Sequence, residues 1–239
     1  VLVLLAGLAP GPFNTVVQAA LGDVIRSVGW LYLLVVFLAL VFLMYLAFGR
    51  FGNLRIGGED AEPEFSRASW MSMLFAAGMG IGLVFWGAAE PISHFSKPPE
   101  GLAPESMDAA RAAMRYAFFH WGLHPWAIYA LIGLAMAWFQ FNRNGRGLVS
   151  DMLQPIIGHH HRGWIGRIVN IAAVVATAIG VATTLGFGTI QIAAGMQRVF
   201  GVHAGVPLQL TIIAVAFVLY MASTLSGVER GVKWLSNFN

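Results

Sequence analysis

The chain has 239 residues, 58% of them hydrophobic and only 10% charged, and its mean hydropathy is +0.71. Soluble domains carry roughly 45–50% apolar and about 25% charged residues, so a soluble enzyme, a disordered scaffold and a nucleic-acid binder are excluded despite the net charge of +3. With no cysteine, disulfides, thiolate metal sites and cysteine nucleophiles are excluded too.

A membrane-spanning helix needs about 20 mainly apolar residues. Val1–Ala9 is an apolar run that begins abruptly without an initiator methionine, and it reads as the tail of a helix (1–9) in a chain that is a fragment. Five longer stretches lack Asp, Glu, Lys and Arg: Ser27–Gly49, Ala68–Ala89, Tyr116–Asn142, Ile168–Gln197 and Val199–Val228. They predict helices over 28–49, 69–96, 114–141, 166–196 and 206–225, followed by a polar lead-in, 226–239, toward a further span. Pro104–Arg115 reads as a short amphipathic helix in an outer loop, with Asp108 and Arg111 three apart on a solvated face.

Basic residues are unevenly shared between the loops. Arg50, Arg55, Arg67, Arg143, Arg146, Arg162, Arg167, Arg230 and Lys233 fall on one side, and Arg26, Lys97, Arg111, Arg115 and Arg198 on the other. The first, richer group is expected in the cytoplasm.

The most informative stretch is Met73–Pro91, MLFAAGMGIGLVFWGAAEP. Each glycine in a helix costs about 1 kcal/mol relative to alanine. Gly78 and Gly82, four apart, can form a close-packing face, but Gly80 lies about 200° round the helix from Gly78. Alternate glycines instead suggest an unwound backbone whose carbonyls and amides face a cavity; both readings stay open. Glu90, followed by Pro91 and a polar loop, reads as a helix-end carboxylate near the outer boundary.

Phe118–Tyr129, FFHWGLHPWAIY, brings Trp121, Trp126 and Tyr129 into one segment. On a continuous helix they share one broad face, which serves equally as an interfacial aromatic belt or as a box for a quaternary ammonium. His120 and His124 stand at i, i+4, and His159, His160 and His161 form a run in a cytoplasmic loop. They motivate a remote alternative, a membrane-embedded metal enzyme, although no acidic residue lies close by in sequence. In Ala176–Ala194, Thr177, Thr183, Thr184 and Thr189 can ligate sodium or, more commonly, bond back to the helix carbonyl four residues earlier.

GMGIGLVFWGAAEP (78–91) and FHWGLHPWAIYAL (119–131) resemble the betaine/choline/carnitine transporter family. PEFSRASWMSMLFAAG (63–78), GVATTLGFG (180–188) and SGVERGVKWLSN (226–237) extend the resemblance over nearly the whole chain. It implies an all-α integral membrane protein of the leucine-transporter-like inverted-repeat fold, of which this chain holds the peripheral helices and most of the first repeat. It further implies a multi-pass carrier in the cell membrane, not an enzyme, needing no organic cofactor, and a homo-oligomer, a trimer by resemblance.

Carried over by position, the resemblance makes Trp121, Trp126 and Tyr129 a cage for trimethylammonium and makes Gly78, Met79, Gly80, Ile81 and Gly82 the unwound stretch touching substrate. The carbonyls of Ala76 and Met79 match ligands of one sodium, and Thr177 matches one hydroxyl of a second; that hydroxyl's partner position holds Val181, which argues against the second site. Gly82 stands where proton-coupled choline members tend to carry Asp, so sodium-coupled uptake of glycine betaine is expected. A proton-coupled choline carrier and a sodium-independent carnitine carrier are the alternatives.

Overall fold

The computed structural model describes residues 2–227, 231 and 233–238, with side chains for all of these except 2–4, 81, 234, 235 and 238. Expectations that touch Val1, Val228, Glu229, Arg230, Val232 and Asn239 lie outside the described residues, as does the side chain of Ile81. Among the described residues there is no strand.

The chain forms two compact units, Val1–Leu54 with Gly122–Leu134, and Arg55–Trp121 with Ala135–Asn239. The first holds α1 (Leu2–Leu8), α2 (Pro10–Phe48) and most of α6 (Leu123–Ala137). Pro10 opens α2, where its missing N–H leaves no helical bond unmade. With 39 residues, α2 is about 58 Å long, well beyond a hydrocarbon core of about 30 Å. The helix expected over 28–49 is thus the C-terminal part of a longer one. Asp23 and Arg26 lie exposed on that same helix. A charge limits how far lipid reaches along a helix, not how far the helix runs.

The second unit holds α3 (Arg67–Gly78), α4 (Ile81–Ser96), α5 (Met107–Trp121), the end of α6 with a π turn (Trp138–Asn142), α8 (Trp164–Phe200), α9 (Val206–Ser226) and α10 (Lys233–Phe238). Between the π turn and α8 come 3-10 turns at Val149–Leu153 and Gly158–Arg162, with α7 (Gln154–Ile157) between them. Ser66 caps α3, its side chain accepting the Ser69 amide at 3.3 Å. α4 packs along α5 and against α8. Phe85 stacks on Phe187 with centroids 5.1 Å apart, and Trp86 stands edge-on to both. Ala109, Ala112 and Ala113 are buried. Spaced i, i+3, i+4, they form one small-residue face that permits close helix approach. Pro104–Arg115 is therefore no separate loop helix: from Met107 onward it is the first part of α5.

Among the described residues, four helices are long and apolar enough to cross a membrane: Pro10–Phe48, Met107–Asn142, Trp164–Phe200 and Val206–Ser226. The helix pair α3 and α4, bent by 46°, makes a fifth if taken as one broken span. Large side chains along these helices, such as Trp30, Phe37, Ile171 and Phe217, are more than half exposed. Such surface is tolerated only against lipid or further protein.

The loop before α8 is held by a buried carboxylate. Asp151 accepts the Arg146 backbone N–H at 2.6 Å on one oxygen and the Arg146 guanidinium at 2.6 Å on the other. Burial alone raises its pKa, but the hydrogen bonds and charge of Arg146 outweigh burial and hold the carboxyl below the ordinary aspartate value. Asn170 on α8 accepts the Ser150 amide and donates to its hydroxyl, both at 3.0 Å.

Candidate functional site

The glycine-rich stretch breaks where two residues leave helical geometry. Met79 has φ −94°, ψ 44° and Gly80 has φ −72°, ψ 172°. The last four carbonyls of a helix lack intrahelical amides. In α3 these belong to Phe75, Ala76, Ala77 and Gly78; the Met79 N–H takes that of Phe75 at 2.7 Å. On the far side, Gly80 caps α4 without any side-chain hydrogen bond. The negative end of one helix dipole and the positive end of another thus meet at the break.

An added Cβ at Gly80 or Gly82 meets nothing within 4 Å. These glycines therefore do not serve close packing within the described residues, and they leave open space beside bare backbone. Of the expected unwound stretch 78–82, only Met79 and Gly80 leave helical geometry: Gly78 ends α3, and Ile81 and Gly82 begin α4.

The three aromatic residues belong to two units, each described by itself. α5 ends at Trp121, α6 begins at Leu123, and Gly122 is a bend between them. Within the first unit, Trp126 and Tyr129 stand with ring centroids 6.0 Å apart, tilted by 41°, and 40% and 74% exposed. In the second unit the indole N–H of Trp121 donates to Glu90 Oε2 at 2.6 Å.

Glu90 is no helix-end carboxylate. Pro91 sits inside α4, which runs on to Ser96, and Glu90 is only 9% exposed. Its Oε1 faces two imidazoles, His94 Nε2 at 3.3 Å and His120 Nδ1. His120 stands with Glu90 and His94 in one cluster, whose three ligand atoms lie within 4.8 Å of one another. The sequence signal for it is Glu90 and His94 at i, i+4, which a reading of Glu90 as a helix boundary misses.

The histidine run is structural at one position. His161 is 5% exposed, its Nδ1 is 2.6 Å from the Gly158 carbonyl, and its Nε2 is 4.0 Å from Asp151. Thr177, Thr183 and Thr189 donate to the carbonyls of Ala173, Ile179 and Leu185, each at 2.8 Å. The Thr177 hydroxyl is exposed, and its lone pairs stay outside that bond.

A family model described as betaine/carnitine/choline family transporter matches residues 1–239. The chain is 46% identical over 237 residues to a glycine betaine transporter, OpuD, of Bacillus subtilis, which covers 99% of this chain and 46% of that protein. It is 44% identical to an ectoine/hydroxyectoine transporter of Virgibacillus pantothenticus over 100% of this chain and 47% of that protein. It is 41% identical to a high-affinity choline transport protein of Escherichia coli over 90% of this chain and 32% of that protein. The chain thus spans about half the length, or less, of these relatives.

Proposed function

The chain belongs to the betaine/carnitine/choline transporter family, and on that premise we propose that it forms part of a secondary carrier importing a quaternary ammonium osmolyte such as glycine betaine. Import is coupled to sodium and proceeds by alternating access. The observation that carries this reading is the α3–α4 break at Met79–Gly80, with open space beside Gly80 and Gly82.

A zwitterion has two ends, and the chain offers chemistry for both. The positive end of α4, from Ile81 and Gly82, suits a carboxylate. The faces of Trp126 and Tyr129 suit a trimethylammonium, whose spread charge is weakly hydrated, and the family resemblance adds Trp121. Gly78, Met79 and Gly80 give the substrate close access to backbone. The negative end of α3, with the carbonyls of Ala76 and Met79, suits sodium. Thr177 offers one hydroxyl toward a second ion, a site that Val181 at the partner position leaves incomplete. Sodium at the broken helix then favours the state that accepts substrate, and substrate binding allows the bundle to rock against its scaffold. The assembly is a trimer in the cell membrane.

Uptake of labelled glycine betaine by the full-length protein in proteoliposomes tests this. Accumulation is expected with an inward sodium gradient and not with potassium in its place. Choline uptake driven by a proton gradient, without sodium dependence, would replace the proposal with the choline reading; sodium-independent exchange would replace it with the carnitine one.

A further inference from the structure

The Glu90–His94–His120 cluster lies outside the residues assigned above to substrate and sodium, and its donors differ in kind from those of a sodium site. We infer that it binds a transition-metal dication of the zinc type, joining α4 to α5. Each residue offers one ligand atom, and the three atoms lie within 4.8 Å of one another. Tetrahedral ligands about 2.1 Å from zinc stand about 3.4 Å apart, and His94 Nε2 is already 3.3 Å from Glu90 Oε1.

The donor set selects the ion. Two imidazoles and one carboxylate suit Zn²⁺, Co²⁺, Ni²⁺ or Cu²⁺, whereas Na⁺, Mg²⁺ and Ca²⁺ prefer all-oxygen shells. The frame is rigid: Glu90 and His94 sit one turn apart on α4, and His120 projects from α5, which packs along it. The carboxylate is also oriented from behind. Trp121 Nε1–H holds Oε2 at 2.6 Å, leaving Oε1 toward the two rings, the kind of outer support that metal ligands ordinarily have. Tyr116 and Phe119 stand beside the imidazoles, with centroids 5.5 to 5.9 Å away. An ion enters from the His120 side, where that side chain is 45% exposed. Three protein ligands leave a fourth position for water.

Because Trp121 and the metal would share one carboxylate, occupancy stiffens the path from α4 to the bend at Gly122. That predicts slower transport with the ion bound, but the site itself is tested without transport. The full-length protein, purified in detergent and stripped with a chelator, is titrated with Zn²⁺ by calorimetry and with Co²⁺ by visible absorption. One ion per chain is expected, with tetrahedral cobalt bands. His94→Ala weakens binding about tenfold or more, His94→Cys restores it by supplying a thiolate, and Trp121→Phe weakens it about tenfold. The double variant His159→Ala, His160→Ala leaves it unchanged. Each variant's melting temperature without metal shows that it is folded. The inference is overturned if the wild-type protein takes up no ion, or if binding survives His94→Ala and disappears with His159 and His160. A metal-binding protein that fails to carry betaine would overturn the transport reading and leave this one standing.

Discussion

The indole N–H of Trp121 donates to Glu90 Oε2 at 2.6 Å, linking an aromatic residue at the end of α5 to a carboxylate inside α4. The same carboxylate faces His94 and His120. Its removal leaves three donors without their acceptor. A buried hydrogen bond to a charged group is worth roughly 1.5–3 kcal/mol, so Glu90→Leu is expected to lower the melting temperature of the purified protein clearly. Glu90→Gln, which keeps an acceptor oxygen, is expected to lower it less. Equal melting of all three proteins would show that the cluster does not support the fold.

Trp126 is expected to act through the face of its ring. The affinity order at matched expression should be Trp, then Tyr and Phe, then far below them Leu, with about 0.5–2 kcal/mol per ring lost. Each 1.4 kcal/mol is about tenfold in Kd. Betaine affinity of Trp126→Tyr, Trp126→Phe and Trp126→Leu measures this. If Leu binds as tightly as Trp, the residue is a membrane anchor.

Gly82 faces open space, so Gly82→Ala and Gly82→Asp should fold and reach the membrane at wild-type levels. Gly82→Asp should nevertheless impair sodium-driven betaine uptake, because it puts a carboxylate beside the end of α4 that suits the substrate's own. Unchanged rate and sodium dependence would make position 82 irrelevant to binding.

The Asp151 clasp predicts an acid limit for the loop before α8. Its carboxyl pKa is depressed in the folded protein, so its contribution is fully present above the ordinary aspartate value of 3.8 and is lost as pH falls through the lower folded value. Asp151→Asn removes the charge-assisted bonds to Arg146, and the loop should be cut faster by protease already at neutral pH. Protection equal to wild type would show that Ser150 and Asn170 suffice.

Orientation can be read by labelling single cysteines in this cysteine-free chain. Ser150 is fully buried and Ser106 caps α5, donating to Ala103 and accepting the Ala109 amide, so neither is a useful probe. Ala103 and His160 are exposed. Ala103→Cys should react with an impermeant reagent from outside and His160→Cys only from inside. Reversed labelling would invert the topology drawn from the basic residues.

Membrane class and the family were legible in the order of residues alone, because lipid demands about 20 apolar residues in sequence and the glycine and tryptophan motifs are local. An interruption near Gly80 was legible for the same reason, since a glycine's cost is paid where it stands, but its confinement to Met79 and Gly80 was not. Whether those glycines packed or opened was decided by what surrounds Gly80 and Gly82, which no spacing contains. Only the fold showed that α2 runs through Asp23 and Arg26 and that Glu90 meets His120 thirty residues away. A hydrogen bond across two helices depends on how α4 and α5 pack, a property of the pair that neither segment carries by itself.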